Sequence, residues 1–260
     1  MKTILNVTAC AACAVWAGVA ASAGAETVEG QNLVGLTAVR DARAHLPLAA
    51  AYGKTGAANP TVADVVQTAT LDAGDELYVY DADAKTYRVY ALDAEKAWQA
   101  QKTVEVTAAG ATASTPPAPD AQEVVRGRGF WLVRKGEDRS RPVYLVGQVE
   151  ASAATVEIPA GSAAAPSATL VGVPVDWTLN ASDWSGKAVR KDAIRVLNAD
   201  GAAWREIVFD GEKWVEGVQK KDAATGTVTF EENANPVLAG GLAVWYMRAG
   251  ETAFTLALPR

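Results

Sequence analysis

The fold is decided by residues 75–96, DELYVYDADAKTYRVYALDAEK, which align without a gap on residues 192–213, DAIRVLNADGAAWREIVFDGEK. The offset between the two segments is 117 throughout, and 8 of the 22 aligned pairs are identical. Self-similarity at a fixed spacing is typical of a repeated structural unit. We therefore predict that the chain contains two copies of one unit, and that these residues form the same structure in both.

Within each aligned segment, apolar side chains alternate with side chains that can face outward. Leu77 and Val79 in the first copy correspond to Ile194 and Val196 in the second. A period of two residues is the pattern of a half-buried strand. Residues rich in Asp, Asn, Gly and Ala come next in both copies and suit a tight turn, and a second alternating run follows. Each segment is therefore predicted to form a β-hairpin.

Two further blocks repeat in the same order along the chain. LVGL at residues 33–36 precedes the first hairpin as LVGV at residues 170–173 precedes the second. WLVRKGE at residues 131–137 follows the first hairpin as WYMRAGE at residues 245–251 follows the second. Three matched blocks in one order indicate a tandem duplication.

The predicted fold class is all-β, with the first copy at residues 26–152 and the second at residues 153–260. Short strands separated by turn signals are typical of a small β-sandwich or barrel-like unit. One short helix is expected in the first copy, at residues 60–68, where an asparagine can cap the first turn and a proline occupies it. Residues 108–122 are rich in Ala, Pro, Thr and Ser and are predicted to form a long flexible loop. Further strands are expected at residues 103–107, 129–134, 143–149, 226–230, 243–248 and 253–258.

The first 25 residues have the composition of a secretory signal peptide. Lys2 is followed by an Ala/Val-rich stretch, and Ala23-Gly24-Ala25 forms a small-x-small cleavage site before Glu26. Asn6 and Thr8 interrupt the apolar run, which argues against a membrane span. We expect export to the periplasm, the cell surface or the extracellular space, with no integral membrane segment after cleavage.

Composition excludes several kinds of chemistry in the mature chain. Cys10 and Cys13 both lie in the predicted signal peptide, so the mature chain would contain no disulfide, thiolate nucleophile or Cys-ligated zinc. The residues before Cys10 faintly resemble a lipoprotein cleavage box, which leaves lipidation open as an alternative. With 24 basic and 30 acidic residues the net charge is −6. Nucleic acid is therefore not an expected partner.

Motifs for metal binding and nucleophilic catalysis are weak or absent. His45 is the only histidine, and it has no nucleophile motif beside it, so we interpret it as a loop residue. Asp81 and Asp83 have the spacing that begins a calcium loop. However, Lys85 and Leu92 occupy positions at which such a loop needs oxygen ligands, so turn chemistry is the preferred interpretation.

Carboxylate pairs recur at the same place in both copies. Asp93 and Glu95 in the first copy correspond to Asp210 and Glu212 in the second, each pair beside a lysine. We interpret them as partners in ion pairs at the end of the hairpin. Two carboxylates could also catalyse glycoside hydrolysis, and this alternative stays open. No catalytic residue, metal ligand or cofactor is assigned.

Tryptophan is unusually frequent, with eight residues in the chain. Trp131, Trp214 and Trp245 are expected in the core. Trp177 and Trp184 are flanked by Asp, Asn and Ser, and are therefore predicted to be exposed. Exposed indole rings can stack on sugars or pack against a partner, so these two are the candidate binding residues.

Several of these blocks also carry a resemblance to a known group of proteins. QNLVG at residues 31–35, GRGFWLV at 127–133 and LVGQV at 145–149 surround the Tyr-rich hairpin, while IPAG at 158–161 and LVG at 170–172 open the second copy. Together they resemble secreted two-repeat β-rich proteins of verrucomicrobial and related bacteria. The resemblance implies the repeated β fold and secretion, and it implies no activity.

The sequence therefore favours an exported, non-enzymatic protein of the cell envelope or the extracellular space, with a structural or binding role. A glycan or another envelope component is the expected partner. A carbohydrate-binding module that uses Trp177 and Trp184 is the first alternative, and a carboxylate-based hydrolase is the second.

Overall fold

A computed structural model describes residues 34–54, 57, 59–81, 84–105, 114–150, 152–221, 228–233 and 235–259. Strands account for 46% of the described residues and helices for 5%, so the prediction of an all-β fold is confirmed. From Val34 onward, the described residues belong to one compact unit. Within the described residues, no helix is long and apolar enough to cross a membrane.

The first half of the compact unit, residues 34–150, is built around a five-stranded antiparallel sheet. Its strands are β1 (Val34–Val39), β2 (His45–Ala49), β3 (Glu76–Asp81), β4 (Thr86–Leu92), β5 (Trp98–Glu105), β6 (Gly129–Val133) and β7 (Val143–Gln148). The order in the sheet is β2-β6-β3-β4-β5, and β1 pairs with β7 in a separate two-stranded sheet.

The second half, residues 152–259, is built around a six-stranded sheet. Its strands are β8 (Thr155–Ile158), β9 (Ser167–Gly172), β10 (Trp177–Thr178), β11 (Ala193–Leu197), β12 (Trp204–Phe209), β13 (Trp214–Lys221), β14 (Val228–Asn233), β15 (Val237–Leu238), β16 (Ala243–Arg248) and β17 (Phe254–Ala257). The sheet order is β14-β13-β12-β11-β16-β9, while β8 pairs with β17 and β10 with β15. The single α-helix of the described residues, α1 (Asp183–Lys187), also lies in this half.

Both predicted hairpins are confirmed. In the first, β3 pairs with β4 and places Leu77 opposite Tyr90; in the second, β11 pairs with β12 and places Ile194 opposite Ile207. All four side chains are fully buried, as their alternation predicted. Among the other predicted strands, residues 129–134, 143–149, 243–248 and 253–258 match β6, β7, β16 and β17, residues 103–107 overlap the end of β5, and residues 226–230 overlap β14.

The two sheets share one strand order, which is consistent with two copies of one unit. The second sheet runs β9-β16-β11-β12-β13 where the first runs β2-β6-β3-β4-β5. Trp131 of β6 pairs with Pro47 of β2, and Trp245 of β16 pairs with Leu170 of β9. Positions in the two halves can therefore be matched through these registers.

One of the three sequence matches is wrong at the level of structure. LVG at residues 170–172 ends β9, which occupies the place of β2, whereas the matched residues 34–36 belong to β1 in another sheet. A short apolar run fits any buried strand, so it does not specify which strand it forms.

The helix predicted at residues 60–68 is also wrong. Val62 donates its backbone N–H to the Gln122 carbonyl, and Pro60 accepts from Val124, so the start of this segment pairs with a distant one. Within the segment only a single turn closes, where Thr61 accepts from Asp64 and Val65. Val62, Val65 and Val66 are buried in the first half. Tertiary pairing therefore overrides a weak capping signal, and a short 3₁₀ helix follows at Thr68–Thr70.

The predicted loop at residues 108–122 is described from residue 114 onward. That part contains no helix or strand and is mostly exposed. It is nevertheless attached to the sheet, since Ser114 accepts from Thr103 and Pro117 accepts from the Tyr90 hydroxyl at 3.1 Å.

Each half has its own hydrophobic core. The first is formed by side chains such as Leu46, Leu77 and Phe130, and the second by large aromatic rings that include Trp184 and Trp214. The boundary between domains at residues 152 and 153 stays a prediction.

The two halves meet at a junction where matched residues of each half donate equivalent backbone hydrogen bonds to the other half. Ala49 donates to the Gly241 carbonyl at 3.0 Å, and at the matched positions Gly172 donates to the Gly127 carbonyl at 2.8 Å. Reciprocal contacts of this kind are what a two-fold axis produces. The junction is tight, because a Cβ placed on Gly129 would lie 2.5 Å from the Ala243 Cβ.

Candidate binding groove

A groove of about 550 Å³ lies where the β11–β12 hairpin of the second half meets the sheet of the first half. Its walls carry four aromatic rings and two polar side chains. We call it the aromatic groove and define it by Tyr78, Tyr87, Trp131, Trp204, His45 and Lys135.

Strand alternation explains why these rings face the groove. Leu77 and Val79 point into the first core, so Tyr78 points to the opposite face of the sheet. Trp131 lies likewise between two buried core residues of β6. On β12, Ile207 is buried in the second core, which leaves Trp204 on the outer face.

The rings are ordered by contacts with one another. Trp131 and Trp204 come from different halves and form a T-shaped pair with centroids 6.1 Å apart. Tyr78 and Tyr87 form another T-shaped pair at 6.2 Å. Pairs of this geometry contribute about 0.5–1.5 kcal/mol beyond area burial. Trp204 nevertheless remains 43% exposed, so part of its ring is open to solvent.

Polar groups along the groove are paired with one another. The Tyr78 hydroxyl donates to the Glu76 carboxylate at 2.9 Å, and the Lys135 ammonium lies 3.2 Å from the same carboxylate. Burial, together with Glu76, raises the pKa of Tyr78 to about 12. Burial also raises the pKa of Tyr87 to about 12, although the hydrogen bond from Trp131 opposes this. Both hydroxyls therefore stay protonated at neutral pH.

Arg43 fixes the hairpin that forms one wall of the groove. Its guanidinium donates to the carbonyls of Leu197 and Asn198, at 2.7 and 3.1 Å, across the boundary between the halves. Asp41 accepts from the other nitrogens of Arg43 and balances its charge. The buried arginine therefore ties the turn that precedes Trp204 to the first half.

The prediction that Trp177 and Trp184 are exposed is wrong. Trp177 is 8% exposed and Trp184 is fully buried, with their ring centroids 4.7 Å apart in the second core. Their polar neighbours have local structural tasks: Ser182 caps α1, and Asp176 accepts from the Gly240 backbone. The polar residues beside the two tryptophans therefore form turns and a helix cap and do not mark an exposed surface. Neither indole ring offers a face on which a sugar could stack.

The core prediction is confirmed for Trp214 and wrong for Trp131 and Trp245. Trp214 is fully buried in the second core. Trp131 and Trp245 are half-buried and lie on the faces of their sheets opposite the cores. The sequence interpretation missed Trp204 as a site residue. The alternating pattern could have identified it, because Trp204 falls on the face of β12 opposite to that of Ile207.

His45 is the first residue of β2, so its interpretation as a loop residue is wrong. It is exposed and lines the groove.

The predicted ion pairs at the hairpin ends are wrong as well. Asp93 accepts from the Ala97 backbone, and Asp210 accepts from the Lys213 backbone, so both carboxylates stabilise turns. These bonds hold the pKa of each aspartate below its usual value. The Lys213 ammonium instead pairs with Glu232 at 2.9 Å.

Turn chemistry also accounts for the aspartate with calcium-loop spacing. Asp81 accepts from the Ala84 backbone at 3.0 Å and pairs with Arg88, while Asp83 lies outside the described residues. In the described part of the chain, no group of three or more His, Cys, Asp or Glu side chains is placed to hold a metal ion.

A buried polar cluster lies away from the groove. Asp192 is fully buried and accepts from the Tyr246 hydroxyl at 2.7 Å and from the Arg248 guanidinium at 2.6 Å. It also accepts from the backbone of Val189 and Ala249. Burial, with Asp192 as hydrogen-bond acceptor, strongly raises the pKa of Tyr246. No solvent reaches this carboxylate, and its role is to hold the ends of β11 and β16 together.

Comparison of the chain with protein-family models, curated proteins and solved structures found no match. The resemblance to secreted verrucomicrobial proteins stays a prediction of the sequence.

Proposed function

We propose that this chain is an exported, non-enzymatic β-protein of the cell envelope or the extracellular space that binds a ligand in the aromatic groove. The observation that carries the proposal is Trp204, a residue that is 43% exposed and whose ring packs against Trp131 of the other half. Tryptophan and tyrosine contribute most strongly to binding when they line a concave site of this size.

The two tyrosine hydroxyls and the Lys135–Glu76 ion pair favour binding over catalysis. The hydroxyls of Tyr78 and Tyr87 are protonated at neutral pH, because the pKa of each is raised to about 12. The Lys135 ammonium is paired with Glu76. A general base or an activated nucleophile would need a pKa close to the working pH, and neither tyrosine hydroxyl provides one.

Export is supported by the sequence of the first 25 residues, which lie outside the described part of the chain. The periplasm, the cell surface and the extracellular space are all compatible with a cleaved signal peptide.

The test is co-sedimentation of the purified mature protein with the insoluble envelope fraction of the producing cells. We expect the wild type to bind and Trp204→Ala to bind roughly 30-fold more weakly, because truncating a central tryptophan typically removes about 2 kcal/mol of binding energy. Val237→Ala is the matched control, since Val237 is 47% exposed and does not line the groove. Failure of the wild type to bind, or equal binding by wild type and Trp204→Ala, would contradict the proposal.

A further inference from the structure

We infer that the ligand of the aromatic groove is an uncharged glycan, a chain of neutral pyranose rings. This inference rests on the proposed binding function and adds the chemical class of the ligand.

The aromatic surfaces suit the apolar face of a sugar ring. A T-shaped contact such as that between Trp131 and Trp204, with the planes at 82°, covers at most one face of each ring. With 43% of its surface exposed, Trp204 keeps planar indole surface open to the groove. The C–H-rich face of a pyranose can pack flat on such a surface, as other apolar groups do.

The polar pair beside the rings suits neighbouring hydroxyl groups. Glu76 offers only acceptors and Lys135 only donors, and the two charged groups lie 3.2 Å apart. A hydroxyl can donate and accept. Two adjacent hydroxyls of one sugar can therefore donate to Glu76 and accept from Lys135 at the same time.

Charged ligands fit this pair less well. An anionic ligand would be attracted by Lys135 and repelled by Glu76, and a cationic ligand the reverse, so the pair gives an ionic ligand no net attraction. Mutual pairing leaves no net charge for an ionic ligand to neutralise. An ionic ligand would lose hydration in the groove without gaining a counter-charge, whereas a neutral molecule rich in hydroxyl groups needs none.

A proline-rich peptide is the main competitor, because such peptides also bind in aromatic-lined grooves. Their backbone carbonyls need donors from the protein. The Trp131 indole N–H and the Tyr78 hydroxyl are engaged with Tyr87 and Glu76 respectively, so a peptide carbonyl would have to share Lys135 with Glu76. Peptide carbonyls also cannot pair with the Glu76 carboxylate.

Microcalorimetric titration of the mature protein separates these ligands. The neutral probes are cellohexaose, xylohexaose and mannohexaose, the acidic probe is a galacturonic acid hexamer, and the peptide probe is decaproline. We expect at least one neutral hexasaccharide to bind, with a roughly 30-fold loss in Trp204→Ala and a loss of only several-fold in Trp204→Phe, which keeps an aromatic ring. Glu76→Gln should also weaken binding, whereas Val237→Ala should not, and thermal unfolding of each variant verifies that it is folded.

The remaining outcomes discriminate between the inference and the function on which it rests. Trp204-dependent binding of decaproline or of the acidic hexamer alone would overturn the glycan inference and leave the proposed binding function standing. The absence of Trp204-dependent binding to every probe would overturn the glycan inference. If Trp204→Ala also sediments with the envelope fraction as well as the wild type does, the binding function falls too.

Discussion

Asp192→Ala is the substitution from which we expect the largest loss of stability among single carboxylates. Asp192 is fully buried and accepts four hydrogen bonds, from Tyr246, Arg248, Val189 and Ala249, at 2.6–3.1 Å. Removing it leaves the Arg248 guanidinium, whose side chain is 5% exposed, as a buried cation without its counter-charge. Breaking a buried ion pair from one side lowers the free energy of unfolding by about 3–5 kcal/mol.

Asp75 provides an internal comparison for this magnitude. It occupies the matched position in the first half, is 1% exposed, and accepts from the backbones of Asp72 and Lys135 at 2.9 and 2.7 Å. These two bonds correspond to the two backbone bonds of Asp192. Arg134, at the position that matches Arg248, interacts with Asp75 through its charge. The difference between the variants therefore reports the direct hydrogen bonds to Arg248 and Tyr246. Leaving one buried polar group without a hydrogen-bond partner lowers the free energy of unfolding by about 1–3 kcal/mol. Asp192→Ala should therefore lower it by at least that much more than Asp75→Ala does.

Urea unfolding followed by tryptophan fluorescence measures both variants. Five of the eight tryptophans lie in the second half, so the signal reports mainly on the half that contains Asp192. Asp192→Asn, which keeps the shape and one acceptor, should fall between the wild type and Asp192→Ala. The reasoning would be refuted if Asp192→Ala were no less stable than Asp75→Ala.

Three further predictions concern the junction, alkaline pH and export. Gly129→Val should lower the unfolding free energy by about 1–3 kcal/mol, because its Cβ would lie 2.5 Å from the Ala243 Cβ; an unchanged urea midpoint would count against the tight junction. The pKa of Tyr87 is raised from 10.0 to about 12, so its stabilising contribution is complete below pH 10 and is lost as the pH rises through 12. Denaturation midpoints between pH 8 and pH 12 should therefore fall less steeply in Tyr87→Phe, and equal slopes would argue against a shifted hydroxyl. Mass spectrometry of the protein from its native cells should find an N-terminus at Glu26, and an intact Met1 would contradict signal cleavage.

Local patterns were sufficient to predict the β-hairpins. Leu77 and Ile194 face their cores because alternation within a single strand fixes the face on which each side chain lies. The turns followed from residue chemistry that acts over three or four positions. These features depend only on near neighbours in the chain. Because the segment is repeated, the same pattern indicates them independently in both copies.

The features that were missed depend on distant parts of the chain. Residues 60–68 fail to form a helix because residues 122–124 pair with them. Trp184 is buried by Trp177 and Tyr246, which its polar neighbours in the sequence do not indicate. The groove is the clearest case, since Trp131 and Trp204 meet only when the two halves are packed together.

The equivalent hydrogen bonds that the two halves donate to each other at the junction bear on how many ligands one molecule can bind. Because each half bonds to the other in the same way, the molecule has a second face built on the same plan, where the β3–β4 hairpin approaches the sheet of the second half. Strand registers match His45 with Ala168 and Lys135 with Ala249, so that face lacks the imidazole and the ammonium. A nearly symmetric chain should therefore bind one ligand per molecule and not two.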